Sequence, residues 1–205
     1  ANSIFELRKD KSGIAKLFKL IRSLKVDPET KIFSFSNSNY KISWHSNILS
    51  VEAPRFDLEA KGKNAFKILT SGLWWELIIC NTVNNWKSAK EITMSLAIKS
   101  NKNVNMDKNE IDILINTGQN VFFIECKSGI VTQSDLNKIR TVSKFYGGIS
   151  SKSILVSFYK PQDNLIEKCQ DLGIEIFYLV GGSSNCYELK TLIKKLDRLL
   201  NRIEL

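Results

Sequence analysis

The chain has 205 residues, with 30 Lys+Arg against 21 Asp+Glu, so its formal net charge is +9. At 43% hydrophobic, with 11 Phe and only 3 Pro, it is not a disordered tail, and it can bury a full core as one large domain or a domain plus an appendage. No apolar run approaches the ~18 residues of a membrane helix, no signal peptide opens the chain, and the surplus positive charge points to a polyanion, most often nucleic acid.

In chain order, residues 12–24 carry Ile14, Leu17, Phe18, Ile21 and Leu24 at helical spacing, with Ser12 as cap and Asp27-Pro28 as stop. Lys31–Phe35, Tyr40–Trp44 and Ile48–Glu52 read as short strands, the last two joined by a hairpin at His45-Ser46-Asn47. The charged stretch Arg55–Lys63, which contains Gly62, reads as a connector. From Ala65 to Val83 a long helix is expected, carrying Glu76 and a core Trp74-Trp75 pair. Three strands follow, Glu91–Lys99, Glu110–Asn116 and Val121–Lys127, the last two joined by a turn over Thr117–Asn120. A helix capped by Ser134 runs to Tyr146 and stops at Gly147-Gly148. The rest alternates: strand Ser153–Tyr159, helix Leu165–Leu172, strand Ile174–Val180 and an amphipathic helix Glu188–Ile203. Hairpin strands followed by crossover units imply an α/β (α+β) fold with a mixed sheet and helices on both faces. The expected division is an N-terminal helix and hairpin over 1–63 and a second domain over 64–205.

Cys80, Cys126, Cys169 and Cys186 are far apart and form no C-x-x-C pair. That usage suits a reduced, cytoplasmic compartment. With a single histidine, His45, the chain offers neither zinc-ligand spacing nor a histidine-centred triad.

The chemistry concentrates in residues 109–129, NEIDILINTGQNVFFIECKSG. Strand residues two apart share a face, so Glu110 and Asp112 point together on one strand, and Glu125 and Lys127 on the next. The hairpin brings Asp112, Glu125 and Lys127 to one spot. Two carboxylates aimed at one point repel unless a cation sits between them, and oxygen ligands suit Mg²⁺ or Mn²⁺. The backbone carbonyl of Cys126 can add a ligand, and Lys127 can position a water or help deprotonate it beside the metal. Such a site is equipped to hydrolyse a phosphodiester. The tripeptide Glu-x-Lys alone carries little weight: Glu29/Lys31, Glu59/Lys61 and Glu188/Lys190 match it too. Glu125/Lys127 differs in context, because it ends the apolar run Val-Phe-Phe-Ile, where charge is costly.

Helix with an acid, strand, strand with Asp, strand with Glu-x-Lys, helix, strand resembles the PD-(D/E)xK nuclease superfamily. More narrowly, G-L-W-W-E (72–76), N-E-I-D (109–112), I-E-C-K-S-G (124–129) and Tyr146-Gly147-Gly148 resemble CRISPR-associated nucleases in which such a domain follows a cyclic-oligoadenylate sensor (CARF) domain. The resemblance implies a restriction-endonuclease-like core, Asp112 and Glu125 as metal ligands, Lys127 as the catalytic lysine and Glu76 as an acid from the first helix. It also implies DNA or RNA as substrate, an N-terminal sensor domain outside this chain, and a homodimer. The first residue, Ala1, suits a piece of a longer protein. Lys138, Arg140 and Lys144 on the following helix are candidates to contact substrate phosphates, and Gln133 to orient the scissile one. Two rivals are a restriction-type or junction-resolving member of the superfamily and a catalytically silent nucleic-acid-binding module.

Overall fold

The structure, a computed structural model, describes residues 32–36, 40–54, 56–62, 65, 68, 71–98, 109–179 and 186–201. The helix expected over 12–24 lies outside them. The chain divides into two compact units, residues 1–78 with 182–185, and residues 79–181 with 186–205.

The first unit holds an antiparallel meander of β1 (Ile32–Ser36), β2 (Lys41–His45), β3 (Ile48–Ala53) and β4 (Phe56–Lys61), in that spatial order. One face is apolar by alternation: Ile42 stands opposite Val51, Val51 opposite Leu58, and Trp44 opposite Leu49, all five buried. The β2–β3 turn places Ser46 and Asn47 at φ 50° and 62°, the two positive-φ positions that a tight two-residue hairpin needs. The Arg55–Lys63 stretch is not a connector. It contains β4, whose outward Asp57, Glu59 and Lys61 hide the inward Leu58 and Ala60.

Helix α1 is Leu73–Val83. It starts later than expected, because Ser71 and Gly72 form a turn, with the Trp75 N–H on the Gly72 carbonyl (2.9 Å). Trp74, Trp75, Ile78, Ile79 and Val83 are buried, as their apolar pattern required.

The second unit is built on a five-stranded sheet in the order β5 (Glu91–Ile98), β6 (Asn109–Asn116), β7 (Val121–Lys127), β8 (Ser151–Ser157), β9 (Ile174–Tyr178). The pairs β5–β6 and β6–β7 are antiparallel; β7–β8 and β8–β9 are parallel. Helix α2 (Gln133–Tyr146) crosses from β7 to β8 and α3 (Asp163–Asp171) from β8 to β9. Leu136 and Ile139 of α2 pack with Leu155, Cys169 and Ile174 on one face of the sheet. On the other face Trp86 meets Phe122 edge-on (5.3 Å) and donates from its indole Nε1 to Asp197 of α4 (Cys186–Leu200, 2.7 Å). This is the mixed sheet with helices on both faces that the element order implied. Cys80, Cys126 and Cys169 form no disulfide. Among the described residues no helix is long and apolar enough to cross a membrane.

Candidate active site

The site forms where β6, β7 and the start of α2 meet. The β6–β7 register ends at Ile113 opposite Ile124, one residue short of Asp112 and Glu125. There a side chain replaces the backbone ladder: the Cys126 N–H donates to Asp112 Oδ2 (2.7 Å). The other edge of β6 is irregular at the same level. Met94 pairs with Ile113 and Leu96 with Ile111, while Ser95 between them sits at φ 50°. Backbone in that region costs a non-glycine residue on the order of 1 kcal/mol, and the ladder resumes at Leu96 in the same register, so the irregularity is confined to Ser95, level with Asp112.

Glu125 is almost wholly buried, its side chain 4% exposed. Lys138, two turns into α2, donates to both its oxygens (3.1 and 2.8 Å) and lies 3.9 Å from Asp112 Oδ1. Lys127 reaches Glu125 Oε1 (3.1 Å) and Asp135 Oδ1 (2.9 Å). Asp135 in turn accepts the Thr132 N–H (2.8 Å) and hydroxyl (2.9 Å). Thr132 is therefore the N-cap of α2, with Asp135 closing the box at the third helical position, and the expectation of a Ser134 cap is corrected. Asp135 ties the helix start to Lys127 on β7; the sequence reading missed this role. The Thr-x-x-Asp pattern before an apolar-periodic helix is the signal that exposes it.

The electrostatics follow from this crowding. Burial first, and the Glu125 charge second, push the Asp112 carboxyl up to about 6, against the pull of the Cys126 N–H and the two lysines. Burial works against the Lys127 ammonium, but Asp135 and Glu125 outweigh it and raise its pKa, so Lys127 stands here as a charged donor rather than a base. Burial likewise opposes the Asp135 carboxylate, and the bonds from Lys127 and Thr132 overcome it and hold it below the usual range.

A family model for the Card1-like endonuclease domain matches residues 62–200, more than half of the chain. The chain belongs to the Card1-like endonuclease family. It carries a nuclease domain of the PD-(D/E)xK type. Two solved structures share the fold. One is the protein VC1899 from Vibrio cholerae, at 19% identity and a TM-score of 0.67, covering 96% of this chain and 54% of the other. The second is Can2 from Sulfobacillus thermosulfidooxidans in complex with cyclic tetra-adenylate, at 17% identity and a TM-score of 0.59, with the same coverages. The chain thus spans about half the length of each. No curated protein matches it.

Within this Card1-like domain, four side chains named from sequence come together: Asp112, Glu125, Lys127 and Lys138. Glu76 lies half-buried on the first turn of α1, in the other unit. Gln133, the first residue of α2, bonds Asn137 along the helix (3.0 Å). Arg140 and Lys144 leave the cluster altogether. They line an open groove of about 830 Å³ at the opposite, amino end of the parallel strands, with Lys152 and Lys195.

The donor set fits a hard divalent cation. Two carboxylates converge, and an ammonium already lies against both of them. Among the described residues no third His, Cys, Asp or Glu joins them. That count matches Mg²⁺, which commonly takes one or two carboxylates and completes its shell with water and substrate phosphate. The Cys126 N–H is committed to Asp112, and its carbonyl is the further oxygen on the same strand.

Proposed function

We propose that this chain is the effector part of a CRISPR-associated, cyclic-oligoadenylate-activated defence nuclease, and that it cuts DNA or RNA as a divalent-metal-dependent endonuclease. One observation carries the metal reading: Asp112 and Glu125 are held together in a buried pocket with a cation lodged against both. Asp112, Glu125 and the Cys126 carbonyl would hold Mg²⁺ or Mn²⁺, with Glu76 as a further acid by resemblance to the superfamily. When bound, the metal polarises a phosphoryl oxygen and supports the charge that builds on the leaving oxygen.

The protein's own residues do the rest. The Cys126 N–H fixes one Asp112 oxygen, leaving the other to face the substrate. Glu125, buried, offers a carboxylate pre-positioned by its strand. Lys127, charged and clamped by Asp135, holds its protons where an attacking water or a phosphate oxygen approaches, and donates to the developing charge. Lys138 neutralises the carboxylates in the metal-free state and must turn away when the cation binds. The location is cytoplasmic on the cysteine usage. An N-terminal sensor, activation by a cyclic oligoadenylate and a homodimer belong to the same proposal; they are supported by the family and by the half-length match to a cyclic-tetra-adenylate-binding structure.

The test is cleavage of DNA and RNA substrates with Mn²⁺ or Mg²⁺, by the chain alone and within its full-length protein with a cyclic oligoadenylate. Cleavage that stops with EDTA and with Lys127→Ala is expected. Binding without cleavage under any metal would instead establish the silent module.

A further inference from the structure

Beside the catalytic strand lies a second feature that the cluster does not use. β8 is parallel to β7, and Lys127 stands opposite Ser157. The Phe158 N–H donates to the Lys127 carbonyl (2.7 Å), so the loop after β8 starts against the end of the Glu-x-Lys strand. The loops β7–α2 and β8–α3 enclose a crevice of about 210 Å³ there, outside the carboxyl ends of two parallel strands, where open α/β sheets commonly receive ligands.

Its walls are unusual for a surface loop pair. Ile130 is 85% exposed and Tyr159 is 47% exposed, each presenting apolar area to water. The Tyr159 ring is held edge-to-face on Phe158 at 4.9 Å, so its orientation is fixed before anything binds. Ser157 is among the residues that line the crevice, and its hydroxyl is buried with no hydrogen-bond partner; among the described residues it is the one buried side-chain polar atom in that state. An orphaned buried hydroxyl costs stability and calls for an account. By strand alternation it lies on the sheet face that Glu125 and Lys127 use. Gln162, also lining the crevice, is the N-cap of α3, yet its side chain makes no cap bond. At the rim Lys160 pairs with Asp163 (2.7 Å).

A fixed aromatic face, an aliphatic opposite wall and two uncommitted polar side chains suit a flat heteroaromatic ring with hydrogen-bonding edges. We propose that this crevice is a nucleobase subsite, which seats one base of the substrate strand beside the scissile phosphate; this rests on the nuclease reading above. Tyr159 and Ile130 sandwich the base, Ser157 and Gln162 meet its edge, and Lys160 meets a flanking phosphate. A base can enter only when unstacked from its neighbours. The subsite thus selects where along a strand the phosphate reaches Asp112, Glu125 and Lys127.

The probe is a short single-stranded oligonucleotide containing 2-aminopurine, whose fluorescence is quenched on stacking, with an all-abasic counterpart, both bound in EDTA. The intact chain should quench the probe and bind it about tenfold more tightly than the abasic strand, as stacking of one base on an aromatic ring is worth. Tyr159→Ala should lose the quenching, and Tyr159→Phe should keep it. Gly129→Leu is a second block: a Cβ there meets nothing within 4 Å and no positive φ is involved, so the fold tolerates it while the crevice fills. Ser157→Ala should weaken binding two- to fivefold without loss of thermal stability, since the hydroxyl it removes has no partner. Equal quenching in the parent, Tyr159→Ala and Gly129→Leu, or equal affinity for the abasic strand, overturns the subsite. Because these readings need no metal and no cleavage, quenching through Tyr159 in a protein that stays inactive with metal and cyclic oligoadenylate would sink the nuclease proposal and leave only a base-binding crevice.

Discussion

Two strands of this protein carry the same tripeptide pattern and put it to different ends. Glu59-Ala60-Lys61 lies on β4 and Glu125-Cys126-Lys127 on β7, and in each the lysine bridges its own glutamate, at 3.3 and 3.1 Å. The first pair is 60% and 71% exposed, the second 4% and 28%. On β4 water solvates both groups and the contact is worth little. On β7 the glutamate is out of water, so each further charge near it acts at low dielectric: Lys138 on both oxygens, Asp135 on the lysine, Asp112 alongside. The chemistry of Glu-x-Lys thus resides in the surroundings that its strand supplies.

The comparison can be broken in stages. The largest effect is expected on catalysis. Lys127→Ala or Asp112→Asn should lower the cleavage rate at least about 100-fold, the scale of a lost proton-handling or electrostatic group; single-turnover assays measure it. Next comes Lys138→Gln. It leaves Glu125 buried against Asp112 with Lys127 as its one remaining cation, and should destabilise the metal-free protein by roughly 2 kcal/mol. Mn²⁺ should then raise its melting temperature by more than it raises the parent's, because the lysine that lies against both carboxylates no longer competes with the metal.

A third test uses pH. The Asp112 carboxyl sits at about 6 in the fold, against an ordinary 3.8. Between those values the folded chain binds more protons than the unfolded one, so this group's contribution to stability is present at low pH and is lost as pH rises through 6. Urea midpoints of the metal-free parent minus those of Asp112→Asn should fall by the equivalent of on the order of 2 kcal/mol between pH 4 and 7. The asparagine variant should therefore be the more stable protein at pH 8, although it is the inactive one. The smallest effect belongs to β4: Lys61→Ala should shift stability by less than about 0.5 kcal/mol and leave cleavage within twofold.

Sequence pattern revealed much of this, unevenly. Strand β7 is read with its exact bounds because Val-Phe-Phe-Ile between a turn and a charged pair has no helical alternative. The convergence of Asp112 with Glu125 follows from period-two alternation and one hairpin. Strand β4 is missed because its inward Leu58 and Ala60 are masked by the charged Asp57, Glu59 and Lys61 between and beside them. Helix α1 is overextended because the apolar spacing continues through Ser71-Gly72, where the backbone turns. Lys138, Arg140 and Lys144 are a single basic set in sequence, but the helix divides them. Leu136, Ile139 and Val142 face the sheet; Lys138 lies on their flank toward β7, and the other two do not. Asp135 and Ser157 are the least legible, because each acts through a partner, or the lack of one, that tertiary packing alone determines.

The bond from the Cys126 N–H to Asp112 has a consequence for inheritance. An amide proton is common to every amino acid except proline, so the anchor that fixes Asp112 does not depend on what side chain stands at 126. What limits the side chain at 126 is its buried place in the core, not the tether to the aspartate on the neighbouring strand. Proline alone would cut the tether, and with it the alignment of both carboxylates.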